Sequence, residues 1–205
     1  MKTLFDKNRD WAAGVLERDP AFFQRLSGQQ TPRYFWIGCA DSRVPANVVA
    51  GLDPGEVFVQ RNVANVVHSG DMNLLSTLEY AVDVLKVAHV IVCGHYGCGG
   101  VKAATEPYPQ GLADHWLQPI RRLAALHAEE LERAETEEDR LNRLAELNVI
   151  EGVGKVVETP IMRRAWARGQ DVSVHGIIYG LKDGRLRDLG VTVHGPGPVE
   201  AVPEA

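Results

Sequence analysis

Cysteine is scarce in this chain, with three residues among 205. An odd number at this length builds no disulfide framework and suits metal ligation better. Positive charge is not in excess either. Lys and Arg number 22 against 27 Asp and Glu, giving a formal net charge of -5. There is no basic stripe and no interleaving of basic with aromatic residues, which argues against nucleic acid as a partner. Long apolar runs are missing. The longest, around residues 87–93, is interrupted by His89 and is far too short to span a membrane. The first residues run into Asp6, Arg9 and Asp10 rather than a hydrophobic signal segment, so a cytoplasmic location is expected.

The remainder is the composition of a globular enzyme: 45% hydrophobic, 24% charged and 20 glycines. Such a chain can bury a substantial core as one domain, or as one domain with appendages. Residues 1–30 are expected to form an N-terminal helical arm. Leu4, Phe5, Trp11, Val15, Leu16, Phe22, Phe23 and Leu26 make a stripe of helical spacing across two short helices, with Asp19 and Pro20 opening the second. So apolar a segment outside a sheet core needs something to pack on, and a partner subunit fits.

Apolar strands are expected at 34–39, 57–62, 87–93 and 172–179, the first apolar on both faces as in a parallel sheet. Helical periodicity covers 69–85, 114–133, 142–158 and 161–167. The acidic segment 135–140 reads as a solvated helix face or a turn. Residues 186–193 can add a short edge strand after the Asp183-Gly184 turn. The fold expected is α/β: three layers around a central, mostly parallel four-stranded sheet, with a fifth edge strand as an option. Residues 31–195 form the main domain, and 196–205, with Pro196, Gly197, Pro198 and Pro203, a flexible C-terminal tail.

Two of these strands end in residues that ligate metals. The first runs into Cys39-Ala40-Asp41-Ser42-Arg43, and the third into Cys93-Gly94-His95-Tyr96-Gly97-Cys98-Gly99-Gly100. Strand-end loops are where chemistry sits in this architecture. Cys39, His95 and Cys98 offer two thiolates and an imidazole, a zinc set of the catalytic kind that leaves one tetrahedral position for water. Cys93 is the rival ligand, but it still lies within the strand, where a free cysteine is a core filler. Asp41 could instead close the site as a fourth ligand, giving a structural zinc.

Arg43 can hold Asp41 ionised and aimed, so that Asp41 accepts a hydrogen bond from zinc-bound water. If Arg43 released it, Asp41 could turn onto the zinc and shut the site, with activity falling as pH falls. The Cys98-Gly99-Gly100 segment can begin a short helix whose free amides favour the Cys98 thiolate. It lacks the Lys-Ser/Thr end of a nucleotide phosphate loop.

The segments Cys39-Ala40-Asp41-Ser42-Arg43-Val44-Pro45 and Gly94-His95-Tyr96-Gly97-Cys98-Gly99-Gly100, with Gly55-Glu56-Val57-Phe58 and Arg61-Asn62-Val63-Ala64-Asn65, resemble the β-class carbonic anhydrases from about Leu4 to Val193. The resemblance implies one Zn2+ per subunit on Cys39, His95 and Cys98. It also implies an Asp41–Arg43 dyad, and reversible hydration of carbon dioxide to bicarbonate and a proton. It implies a homodimer embraced by N-terminal helices and often paired into tetramers. A bacterial subset is more similar still. That subset falls into an inactive aspartate-ligated form and binds bicarbonate at a second, non-catalytic site, matched here by Trp36, Gly38, Arg61 and Tyr179. Ile177 stands where its members often have tryptophan.

Val63 and Ala64 are candidate walls of a narrow carbon dioxide pocket, and His68 is a candidate proton shuttle. Two readings compete: hydrolysis of carbon disulfide or carbonyl sulfide on the same scaffold, and a non-catalytic zinc-stabilised binding or redox-sensing protein.

Overall fold

The computed structural model describes residues 1–28, 30–107 and 111–196, so the expected tail lies, after Pro196, outside the described residues. The chain divides after Thr31 into two compact units. The first consists of α1 (Lys2–Arg18) and α2 (Phe22–Gly28). Trp11 and Phe23 meet edge to face at 5.7 Å, and Phe22 and Phe23 at 5.1 Å. Asp19 and Pro20 precede α2 rather than opening it: the Phe22 amide donates to the Asp19 carbonyl at 3.1 Å, while the Asp19 carboxylate pairs with Arg25. Leu4, Phe5, Trp11, Leu16 and Leu26 remain exposed.

The second unit is a five-stranded sheet with flanking helices, a three-layer α/β fold. Its strands are β1 (Tyr34–Cys39), β2 (Val57–Asn62), β3 (His89–His95), β4 (Ser173–Gly180) and β5 (Arg185–Asp188), in the order β2-β1-β3-β4-β5. The first four are parallel, and β5 runs antiparallel on β4 as the fifth edge strand. β3 starts and ends two residues later than its apolar run implies, so it carries His95 within its last pair. Of the expected edge strand only Arg185–Asp188 pairs continuously, and Val193 returns to make a single bridge to Val174.

Alternate residues face opposite sides, as strand geometry requires. Phe35, Ile37, Val90, Val92, Val174 and Ile178 enter the main core, while Trp36 and Cys93 enter a smaller cluster with Ala46. Ala46 belongs to α3 (Ala46–Ala50). The Ser69-to-Leu85 periodicity becomes α4 (Met72–Glu79), capped by Asp71, followed by a wider turn over Tyr80–Val84. α5 (Gly99–Thr105) starts directly after Cys98.

The single helix expected at 114–133 is instead α6 (Leu112–Trp116), α7 (Gln118–Leu126) and α8 (Ala128–Glu132). Pro119 is the physical reason for the first break. It has no N–H to give and is tolerated only in a helix's first turn, where it sits in α7.

The acidic segment opens α9 (Glu137–Val157), with Thr136 as its cap and Glu137, Glu138 and Asp139 in the first turn, where negative charge complements the helix dipole. α10 (Pro160–Ala167) follows, capped by Thr159. No helix among the described residues is long and apolar enough to cross a membrane.

α9 lies close against β3 and β4 because glycines leave it room. A Cβ on Gly94 would stand 2.7 Å from Val149 Cγ2, and one on Gly176 would stand 2.4 Å from Val191 Cγ2 and 3.2 Å from both Val149 Cγ1 and Val153 Cγ2. Valine is stiff at χ1 and cannot swing aside. Gly176→Ala is therefore expected to destabilise the fold by about 1–3 kcal/mol, read as a lower urea midpoint at unchanged m-value; an unaltered midpoint would refute the packing argument.

Candidate metal centre

Cys39 is the last residue of β1, His95 is the last of β3, and Cys98 immediately precedes α5. Gly97, at φ 65°, makes the turn that brings Cys98 back. The two sulfurs lie 3.9 Å apart, and one ligand atom from each of the three residues lies within 4.8 Å of the others. Two sulfurs at 2.3 Å from a tetrahedral zinc would stand about 3.8 Å apart, so the spacing suits zinc.

His95 supplies a second test. Its Nδ1 is 3.0 Å from the Tyr96 carbonyl, which can only accept, so Nδ1 carries the hydrogen. Nε2 is left with its lone pair free, buried, and without a hydrogen-bond partner. A buried nitrogen of this kind needs a partner, and a cation between it and the two sulfurs provides one.

The electrostatics agree. The neighbouring Cys98 thiol holds the Cys39 thiol far below its ordinary pKa, against the opposing effect of burial. The neighbouring Cys39 thiolate and burial push Cys98 up. This is the asymmetry a divalent cation relieves. Cys93 is driven up by burial, and its Sγ donates to the Gly94 carbonyl at 3.3 Å. It stays a thiol outside the ligand group, packed with Trp36 and Ala46.

Asp41 stands beside this group, with Oδ2 3.7 Å from His95 Nε2. Arg43 grips it bidentately, Nε to Oδ1 at 2.9 Å and Nη2 to Oδ2 at 2.7 Å, and its backbone N–H adds a third bond at 2.9 Å. These bonds hold the carboxyl below the usual carboxylate range, again against burial. Arg43 Nη2 also reaches the Gly97 carbonyl at 3.3 Å, which links the two ligand loops.

Comparison with known proteins gives the same reading. A family model described as carbonic anhydrase matches residues 34–186. A carbonic anhydrase of Emericella nidulans is 47% identical over 94% of this chain and 84% of its own length. A tetrameric β-carbonic anhydrase of Sordaria macrospora superposes with a TM-score of 0.89 at 40% identity, over 94% of this chain and 98% of that one. The chain belongs to the β-class carbonic anhydrases. The β-carbonic anhydrase CafA of Aspergillus fumigatus is similar too, with a TM-score of 0.86 and 40% identity over 92% of this chain and 89% of that one. As a carbonic anhydrase, this chain carries out zinc-dependent, reversible hydration of carbon dioxide, with Cys39, His95 and Cys98 binding one zinc.

Trp36, Gly38, Arg61 and Tyr179, the four residues matched to a bicarbonate site, are distributed over one sheet face. Gly38 is in register with Arg61 and Cys93, and Tyr179 with His95. Trp36 covers Gly38, where a Cβ would stand 2.4 Å from the indole nitrogen. Arg61 is engaged: Nε donates to the Cys39 carbonyl at 2.8 Å, and Nη2 to the carbonyls of Asp41 and Val44, the latter at 3.1 Å. It therefore staples the loop that carries the dyad, a role the sequence does not reveal.

Val63 is exposed and Ala64 fully buried. The His68 ring packs on Trp116 at 5.1 Å and lines a pocket of about 430 Å³ whose walls include none of the three ligands. Sequence reasoning also missed the Tyr96 hydroxyl donating to Glu146 at 2.6 Å, which pins the residue whose carbonyl orients His95. Its partner lies 50 residues away, and no local signal marks it.

The ligand assignment predicts different outcomes for two cysteine variants. Cys98→Ser should lose stoichiometric zinc, whereas Cys93→Ala should keep one zinc per chain and lose only about 1 kcal/mol of stability. Metal analysis of dialysed protein decides, and loss of zinc from Cys93→Ala would overturn the assignment.

Proposed function

We propose that Asp41 and Arg43 are the working dyad of this carbonic anhydrase. One observation carries the reading: the unpartnered Nε2 of His95 faces two sulfurs, with a carboxylate held off by Arg43 alongside. Zinc bound there acidifies water, so that a nucleophile for carbon dioxide exists near neutral pH. The chain's own residues do the rest. Asp41, kept ionised by Arg43, accepts a hydrogen bond from the attacking water and orients it. Val63 and Ala64 wall the pocket for an uncharged substrate. His68 is the candidate carrier of the released proton, supported by its packing on Trp116, whose indole N–H binds the Val63 carbonyl.

The proximity of Asp41 to His95 Nε2 also supports a closed form. Released by Arg43, the carboxylate would reach the metal and shut the site. A non-catalytic bicarbonate site at Trp36, Gly38, Arg61 and Tyr179 is supported by their common sheet face.

The exposed apolar residues of the helical unit, together with the tetrameric state of the Sordaria macrospora enzyme, support an arm at residues 1–30 that packs on a partner subunit. On this reading residues 31–195 are the catalytic domain and the assembly is a homodimer, paired further into a dimer of dimers. The three free cysteines and an unpaired thiolate set support a reducing, cytoplasmic setting.

Stopped-flow detection of proton release on mixing with carbon dioxide tests the dyad. Asp41→Asn should keep zinc but lose about 100-fold or more in kcat/KM, and chelation should abolish the wild-type signal until zinc is restored. An Asp41→Asn enzyme at the wild-type rate would remove Asp41 from the mechanism. For the second site, Trp36→Phe and Tyr179→Phe should weaken inhibition by added bicarbonate; equal inhibition in all three proteins would exclude it.

A further inference from the structure

Tyr96 is gripped through its amide, its hydroxyl and its ring, which leaves its carbonyl for another task. The N–H donates to the Tyr179 carbonyl of β4 at 3.0 Å. The hydroxyl donates to Glu146 Oε1 at 2.6 Å, the short distance of a charge-assisted bond. The ring lies beneath the Arg187 guanidinium, whose central carbon is 5.7 Å from the ring centroid. The carbonyl meets His95 Nδ1 at 3.0 Å.

That carbonyl needs outside support. It belongs to the peptide group between Tyr96 and Gly97, and Gly97 sits at φ 65° with no side chain to resist rotation. A peptide plane beside such a glycine turns easily, and a turned carbonyl would abandon the imidazole. Glu146 supplies the support from α9. Its second oxygen, Oε2, is itself fixed by Arg143 Nη1 at 2.9 Å. Arg143 Nε reaches on to Glu130 Oε1 at 2.5 Å, and Glu130 Oε2 meets His127 Nδ1 at 2.9 Å. The brace therefore runs phenol, carboxylate, guanidinium, carboxylate, imidazole, from the end of β3 across α9 to α8. Every carboxylate oxygen in it is used, so neither glutamate can swing away without losing two partners.

We infer that Glu146 and Arg143 are positioning residues of the zinc centre: through the Tyr96 hydroxyl they keep the Tyr96 carbonyl on His95 Nδ1, and so keep Nε2 aimed at the metal. Neither residue touches the metal or the reacting atoms. Outer partners of this order fix the tautomer and the ring orientation of a ligating histidine. Of the three ligands, His95 alone must present one of two ring nitrogens, so its grip depends most on a second bond. Loosening the brace lets the ring tilt and the metal leave. The quantity that Glu146 and Arg143 set is the lifetime of zinc on the chain.

The inference rests on His95 being a zinc ligand, and the experiment separates the two. Zinc release is timed with a chromophoric chelator in excess. Tyr96→Phe removes one oxygen and should release zinc about tenfold faster than wild type, and Glu146→Leu should match it. The double variant should be no faster than either single one, because both break the same bond. Glu146→Gln still offers an oxygen to the phenol and should recover much of the lifetime. In wild-type zinc protein with nitrogen-15-labelled histidine, the His95 Nδ1–H should give a slowly exchanging proton resonance far downfield, a measurement that needs no variant. That resonance should move upfield in Tyr96→Phe. Unchanged zinc release in folded Tyr96→Phe, even with a lower Tm, overturns the inference, as does a wild-type His95 ring with no proton on Nδ1. Identical His95 ring-nitrogen shifts with and without zinc would overturn the ligand assignment itself.

Discussion

The parallel pairing of β1 with β3 governs everything else in the second unit. Gly38 sits opposite Cys93, so the last residue of β1 and the last residues of β3 reach the same carboxyl edge of the sheet. Two ligands of opposite chemical character, a thiol and an imidazole, arrive there on rigid strands. Only the third ligand needs a loop, and that loop is three residues long. A site built on strands in this way is held by the ladder itself, so its geometry costs little further ordering.

Around that edge the polar groups form a connected set. Arg61 collects the carbonyls of Cys39, Asp41 and Val44, and Arg43 ties Asp41 to the Gly97 carbonyl. Tyr96, anchored to Glu146, carries the acceptor that sets the His95 tautomer. Two guanidiniums and one phenol thus fix both ligand loops. In a half-buried setting, such charge-assisted bonds are stronger than their neutral counterparts.

Much of this was legible in the sequence, and the reasons are specific. β1 and β2 announce themselves as short apolar runs with turn residues on both sides, and both match their expected bounds. The ligands stand out because Cys39 and His95 each terminate such a run. What escaped was non-local. The breaks on either side of α7 depend on Pro119 and on packing, and periodicity alone overlooks them. Arg61 is matched by resemblance to a bicarbonate site, yet in the structure it bonds carbonyls 17 to 22 residues upstream. Trp116 and Asn148 reach carbonyls 53 and 84 residues away, and no spacing rule encodes a bond between a side chain and a distant peptide group.

The glycines beneath α9 have a reach that their position conceals. Gly94 and Gly176 set how deeply the helix sinks onto the sheet, and that depth decides where the Asn148 amide ends up. The bare strip of backbone works as a height gauge. A single added methyl group would raise the helix like a shim, and the displacement would be delivered through the neighbouring Asn148 to the Ala64 carbonyl. Tolerance to substitution in this enzyme should therefore follow the mechanical linkage through α9 more closely than distance from the zinc.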